Sequence, residues 1–241
     1  MVVQRVADAG TKSRILDAAE QLFMEHGFEA TSMRQLTTAA GVNLAAVNYH
    51  FGTKEELFRD VILRRARVLH AARLELLGKV PRSGTQAART RAIVEAFVLP
   101  AIDRAVRDGA FRNYFALIAQ VSNSRLWALK LVADQFNAVA LEFIGALGRV
   151  FPRAPRRSIY YSYQFLLAST LSALSDNLRL DSLTKGELAS RDFSNLGAHL
   201  LTFATAGIVT TCTETKRSGA RRLSAGTRPR IQGGPVSVRV S

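Results

Sequence analysis

Apolar residues recur at helical spacing along nearly the whole chain, and no convincing run of strand-like alternation occurs before the last thirty or so residues. That periodicity predicts an all-α protein. Ile15, Leu16, Ala19, Leu22 and Phe23 form one stripe, ended by Gly27, with Thr11 or Ser13 as the expected cap. In "TSMRQLTTAAG" Ser32 and Gln35 have capping-box spacing, Met33, Leu36 and Ala40 share a face, and Gly41 stops the helix. Asn43 can cap a third helix, and Thr53 with Glu56 opens a fourth that runs to about Lys79, before "PRSG". Further helices are expected over 86–107, 110–121, 124–150, 156–179 and 191–211.

With 241 residues the chain can bury a real core without metal or disulfide. Its one cysteine, Cys212, cannot form an internal bridge and has no metal-site or nucleophile spacing around it, so a reduced, cytoplasmic setting is expected. Residues 2–9 carry Arg5 and Asp8 and are followed by no apolar run, so no secretory leader is expected. The net charge is +14, but it is unevenly placed: zero over 1–65, +8 over 66–213 and +6 over 214–241. Bulk charge therefore does not mark the N-terminal region as a nucleic-acid surface; only particular positions can. From Thr215 the composition becomes rich in Arg, Ser, Gly and Pro, as in a basic, disordered tail.

Residues 43–51 contain a helix too short to be stable by itself. At 100° per residue Leu44, Val47 and Phe51 fall on one side and Ala45, Ala46, Tyr49 and His50 on the other, with Asn48 near the apolar edge. One face can dock and the other can point outward. Helix, tight turn at Gly41-Val42, and short helix have the dimensions of a helix-turn-helix, whose second member enters the DNA major groove. The small Ala45 and Ala46 permit close approach and methyl packing on thymine, and Tyr49 and His50 can donate to phosphates. Capped helix starts at Ser32, Asn43 and Thr53, with Arg34 and Lys54 just inside two of them, aim free N–H groups and positive dipole ends locally. A short capped helix is also an ordinary bundle feature, and His50 could simply pack.

"ILDAAEQLFMEHGFEA" followed by "TSMRQLTTAAGVNLAAVNYHFGTKEELF" resembles the DNA-binding domain of the TetR family of bacterial repressors, over residues 12 to about 60. The resemblance implies an all-helical homodimer with an N-terminal three-helix DNA-binding domain (1–60) and a C-terminal helical ligand-binding and dimerisation domain (61–214), followed here by the 215–241 tail. It implies that Arg34, Ala45 and Ala46 reach bases, while Thr31, Ser32, Asn48, Tyr49, His50 and Lys54 serve the DNA backbone. Many members have Lys-Gly where Leu44-Ala45 stands and Tyr where Asn48 stands, so base preference does not carry over. The "VNLAAVNYHFG" form is similar to a subgroup that includes regulators responding to fatty acids or acyl-CoA.

Residues 158–175 and 193–213 carry no charge. Their length suits a bilayer, yet Ser158, Ser162, Gln164, Ser169, Thr170 and Ser172 interrupt the first, and Asn195, His199 and several threonines the second. Burial against a partner copy is the economical alternative to membrane insertion, giving a four-helix interface from helices 156–179 and 191–211. Both could instead be core helices of a monomer.

The ligand site is sought among aromatic stripes: Phe111, Tyr114, Phe115 and Ile118; Leu126, Trp127, Ala133, Phe136, Ala140 and Phe143; and Tyr160, Tyr161 and Tyr163. Arg112, Asn113 and Gln164 are the polar fixtures of a cavity for an elongated apolar ligand, the surplus positive charge suiting an anionic headgroup. Such stripes are also the ordinary material of a core. His26, His70 and His199 are isolated, no metal or cofactor is expected, and no catalytic constellation appears, so the chain is not expected to be an enzyme. The expected function is a ligand-responsive repressor of a palindromic operator in double-stranded DNA, with half-sites about one helical turn (~34–36 Å) apart. The alternatives are a sequence-indifferent basic DNA-coating protein and, from a third class, a helical enzyme.

Overall fold

The computed structural model describes residues 2–123 and 128–213, which form ten helices and no strand. In order these are α1 (Val2–Ala30), α2 (Met33–Ala40), α3 (Leu44–Phe51), α4 (Lys54–Gly78), α5 (Gln86–Arg107), α6 (Gly109–Asn123), α7 (Ala128–Val150), α8 (Arg156–Leu174), α9 (Arg179–Leu183) and α10 (Phe193–Thr213). The tail from Thr215, like the expected helix start at 124, lies outside the described residues.

The N-terminal bundle closes around apolar faces that the periodicity identifies. Ile15, Ala19 and Phe23 of α1, Leu36 of α2, Val47 of α3 and Leu57, Phe58 and Ile62 of α4 are all buried. Phe58 meets Phe23 and Phe28 edge-on, each at 5.0 Å between ring centres, which seats α4 on the end of α1. Two turns of α3 gain from Val47 and Phe51 what local hydrogen bonding cannot supply, about 1.5–3 kcal/mol for each side chain buried.

Charge reinforces the same junction. Glu20 is buried on α1 beneath two arginines of α4: Arg65 donates to it through Nε at 3.1 Å, and Arg64 donates through a terminal nitrogen. Arg64 also pairs with Asp17 at 2.7 Å. Arg65 continues outward, with a terminal nitrogen 3.9 Å from Asp108 at the end of α5 and its guanidinium over the ring of Phe111 on α6.

The second core lies among α4, α5, α7, α8 and α10, with Ile93, Phe97, Phe143, Leu147, Leu166, Leu200 and Ile208 buried in it. α10 packs closely on α5 because Gly197 has no side chain; a methyl group there would sit 3.1 Å from Ile102. α5 continues through the buried Pro100, where one ladder hydrogen bond is lost.

Three expectations are corrected. α1 runs through both Thr11 and Ser13, so neither caps it; its interruption is at Gly27, with φ of 77°. Leu44, the first residue of α3, is half exposed and does not share the burial of Val47 and Phe51, the packed side of the helix beginning one turn further on. The helix expected over 156–179 ends at Leu174, since Asp176 and Leu178 take left-handed backbone conformations, and the short α9 follows. Arg191 holds that corner by donating to Asp176 at 2.6 Å.

Replacing Glu20 by Ala should lower unfolding stability by about 2 kcal/mol, less than for a fully buried pair because the freed arginines are about a quarter exposed and can rehydrate. Urea unfolding midpoints of the two proteins test this.

Candidate functional site

Three helix starts, at Ser32, Asn43 and Thr53, follow one another within about two dozen residues, each capped as its sequence demands. The Gln35 backbone N–H donates to Ser32 Oγ at 3.2 Å, and the Ser32 N–H donates to the Gln35 side chain at 2.8 Å. The Ala46 N–H donates to Asn43 Oδ1 at 2.8 Å. Thr53 and Glu56 make the third pair, at 3.1 Å in both directions. Gly41, at φ 62°, and Gly52, at φ 72°, turn the chain between these helices. At Gly52 a side chain would meet the carboxylate of Glu56 at 2.5 Å and disturb the cap of α4.

Between these starts stands the outer side of α3. Tyr49 is 78 % exposed, Ala45 and Asn48 are exposed, Ala46 is half-buried, and Arg34 on α2 is exposed nearby. His50 is half-buried with Tyr49 edge-on to its ring at 5.1 Å. Two expected contacts are already engaged. Thr31 is buried, and its hydroxyl donates to the carbonyls of Gly27 at 2.8 Å and Leu22 at 3.2 Å, beside the kink of α1. Lys54 is half-buried with its ammonium 4.3 Å over Phe28 and 3.5 Å from the Glu29 carbonyl.

A second feature is a cavity of about 170 Å³ enclosed by α4, α6, α7 and α8. Tyr114, Phe115, Ile118 and Gln164 line it, as expected from the aromatic stripes, together with Phe136 and Ala140. Other expected ligand residues do not. Phe111 is buried under the guanidinium groups of Arg65 and Arg104. Arg112 donates to the Ala105 carbonyl at 2.9 Å and so closes the end of α5. Tyr160 is on the outer surface, accepting from Arg156 at 3.0 Å. Trp127 lies outside the described residues.

The sequence pattern assigns no cavity residue to α4, whose His70 and Arg73 line the cavity, and it does not single out Asn137 or Thr170 as lining. Arg73 donates through Nε to the Phe97 carbonyl at 2.8 Å and stacks its guanidinium 3.8 Å over the Phe97 ring. Burial lowers its pKa to about 10, so it remains charged at neutral pH. The only available signal was a basic residue at position 73 on the apolar stripe of α4, between Leu69 and Leu76.

A third surface runs along α8 and α10, where Tyr161, Phe165 and Phe203 are all exposed, Phe203 by 72 %. A groove lined by Ser162, Ser169, Gly207 and Thr211 lies between the helices. α10 is the one helix among the described residues long and apolar enough to cross a membrane. Its inner face packs on α5 and α8.

Residues 15–61 match the family of bacterial regulatory proteins called tetR, and residues 95–207 match the tetracyclin repressor-like C-terminal domain. The chain belongs to the TetR family. Members of this family are transcriptional regulators rather than enzymes. The HTH-type transcriptional repressor AcnR of Corynebacterium efficiens is 42% identical over 48 residues, 20% of this chain and 26% of AcnR. The chain thus spans about a quarter of the length of the curated relatives it matches. Among solved structures, NalD of Pseudomonas aeruginosa, the secondary repressor of the MexAB-OprM multidrug efflux pump, has a TM-score of 0.58 at 24% identity over 83% of this chain and 96% of its own. FadR of Bacillus subtilis, in complex with stearoyl-CoA, has a TM-score of 0.54 at 12% identity over 81% of this chain and 98% of its own. These two share the fold. For a TetR-family chain, the capped end built on α2 and α3 is the helix-turn-helix end.

His70 makes the cavity acid-sensitive. Burial first, and the Arg73 charge second, lower its pKa from 6.5 to about 4. The unfolded chain takes up this proton at about pH 6.5 and the folded chain only near 4, so this contribution to stability is complete above pH 6.5 and lost as pH falls to 4. Its size is about 2 kcal/mol after allowance for partial exposure. His70→Gln should flatten the dependence of the unfolding free energy on pH across that window.

Proposed function

We propose that the chain is a homodimeric transcriptional repressor in which two copies of α3 enter successive major grooves of a palindromic operator, and that an acyl-type ligand in the α4–α6–α7–α8 cavity releases the DNA. The observation that carries this reading is the outer side of α3, offered between three capped helix starts. Ala45, Ala46 and Arg34 would read bases. Ser32, Asn43, Asn48, Tyr49, His50 and Lys54 would serve the phosphates, Lys54 after leaving Phe28. Local N–H groups and dipole ends supply the attraction that the uncharged balance of residues 1–65 does not.

Dimerisation would use α8 and α10. An apolar helix with a 72 %-exposed phenylalanine on its outer face requires cover. Asn195, His199 and the threonines along α10 suit a protein partner better than lipid, and a two-fold pairing would bury both aromatic faces at once. A cytoplasmic repressor of this kind would have residues 1–60 as its DNA-binding unit and 61–214 as its ligand and dimer unit. The way from ligand to operator would run through α4, which touches the cavity at Leu69 and Arg73 and the N-terminal bundle at Leu57 and Phe58. A ligand acts to the extent that it prefers the α4 position that misfits the operator.

Selection from random duplex DNA should recover an inverted repeat. Ala45→Glu and Tyr49→Glu should each weaken binding to it by about 100-fold or more in gel shifts, with the dimer intact by sedimentation, because a carboxylate there faces phosphates. Undiminished binding would remove α3 as the reading helix. Deleting residues 216–241 should leave specific binding in place with a shallower salt dependence, whereas a DNA-coating protein would lose nearly all of it. Phe203→Arg should shift the sedimentation of the micromolar protein from dimer to monomer.

A further inference from the structure

Arg73 carries a charge that the fold does not neutralise. It is only 7 % exposed, and none of the ion pairs among the described residues includes it. Glu20, buried to a similar degree on α1, receives two arginines of α4. For Arg73 there are one carbonyl oxygen and one aromatic face, both from Phe97. A guanidinium has five N–H donors in a planar fork, and the Phe97 carbonyl accepts from one. Buried cations are ordinarily paired, because desolvation costs more than a single neutral acceptor returns.

The cavity beside Arg73 has the complementary defect. Among the described residues neither Asp nor Glu lines it. His70 is neutral near pH 7 and brings no negative charge. Tyr114 and Tyr163 lie near the guanidinium, but burial raises both phenols, so they too stay neutral. Leu69, Phe115, Ile118 and Phe136 are apolar wall, and the polar side chains that share it, Asn137, Gln164 and Thr170, are neutral. Among the described residues Arg73 thus has no acidic partner, and it borders a mostly apolar space whose polar groups are neutral.

We propose that Arg73 is the anion receptor of this cavity and that its ligand is a small monocarboxylic acid, aromatic or short-chain, with the carboxylate on the guanidinium and the hydrocarbon part against Leu69, Phe115, Ile118 and Phe136. This rests on the reading of the cavity as the effector site and narrows it to the free acid. A cavity of about 170 Å³ is close in size to engineered cavities of roughly 150 Å³ that take up benzene. A coenzyme A moiety is too large to be enclosed in it and would have to lie outside. A thioester also lacks the needed group, because its carbonyl is neutral and its negative charges sit on distant phosphates. A carboxylate, in contrast, matches the fork with two parallel N–H···O bonds.

Calorimetric titration of the full-length protein with matched pairs decides the matter: benzoate against benzamide, hexanoate against hexanamide, and hexanoyl-CoA. Each acid should bind at least about tenfold tighter than its amide, and the thioester weakest. Arg73→Lys should shrink that ratio and Arg73→Met should erase it, an effect on selectivity that a merely structural arginine would not produce. If Arg73→Met fails to fold, the wild-type ratios and Arg73→Lys still decide. Equal affinity for acid and amide, tighter binding of the thioester, or no binding of either acid overturns the proposal. Ala140→Phe, which fills the cavity, separates the two levels. Equal binding of acid and amide that this variant abolishes removes the carboxylate assignment and leaves the cavity as a ligand site; acid binding that survives it removes the cavity reading itself.

Discussion

The structure depends on α4 being buried against two different cores. Its first turns carry Leu57, Phe58 and Ile62 into the N-terminal bundle, and its middle carries Leu69 and Arg73 into the larger C-terminal core. A helix held on both sides cannot move at one end without repacking at the other, because packed interiors favour discrete arrangements over continuous deformation. Arg64 and Arg65 mark the crossing point. They bind the α1 carboxylate Glu20 while Arg65 also reaches Asp108 and Phe111, where α5 hands over to α6. The same α6 supplies Tyr114, Phe115 and Ile118 to the cavity. One buried carboxylate thus lies at the junction between the capped end of the molecule and the wall of the cavity.

Half of the acidic residues in the first 65 positions are engaged inside the N-terminal bundle. Asp17 and Glu20 are committed to Arg64 and Arg65, Asp60 to Arg59, and Glu56 to the cap of α4. These groups are satisfied within the bundle. The capped starts of α2, α3 and α4 retain the outward N–H groups and dipoles that the sum of charges conceals.

What could be read in the sequence was local. The capping pairs Ser32–Gln35 and Thr53–Glu56 and the cap Asn43–Ala46 span three residues each, and all three exist in the fold as their spacing requires. The helical stripes likewise identify most of the core. Leu44 escaped because a helical wheel knows the direction of a side chain but not whether a neighbour covers it. The corner after Leu174 escaped because two non-glycine residues, Asp176 and Leu178, adopt left-handed backbone there. Such strain is tolerated when surrounding contacts impose it, here with Arg191 on Asp176.

The cavity was the least legible part, for a related reason. Phe111 and Tyr114 sit three residues apart on one stripe, yet one is capped by Arg65 and Arg104 while the other borders the cavity. Arg73 looks in sequence like any solvated arginine on a long helix. Only the approach of α5, α6 and α8 buries it, with no ion-pair partner among the described residues. The amino-acid order by itself determined the helices, their caps and the two-faced α3, because these follow from interactions within one or two turns. Which polar groups became buried and which of them lacked a partner was decided by tertiary packing, since burial is a property of neighbours distant along the chain.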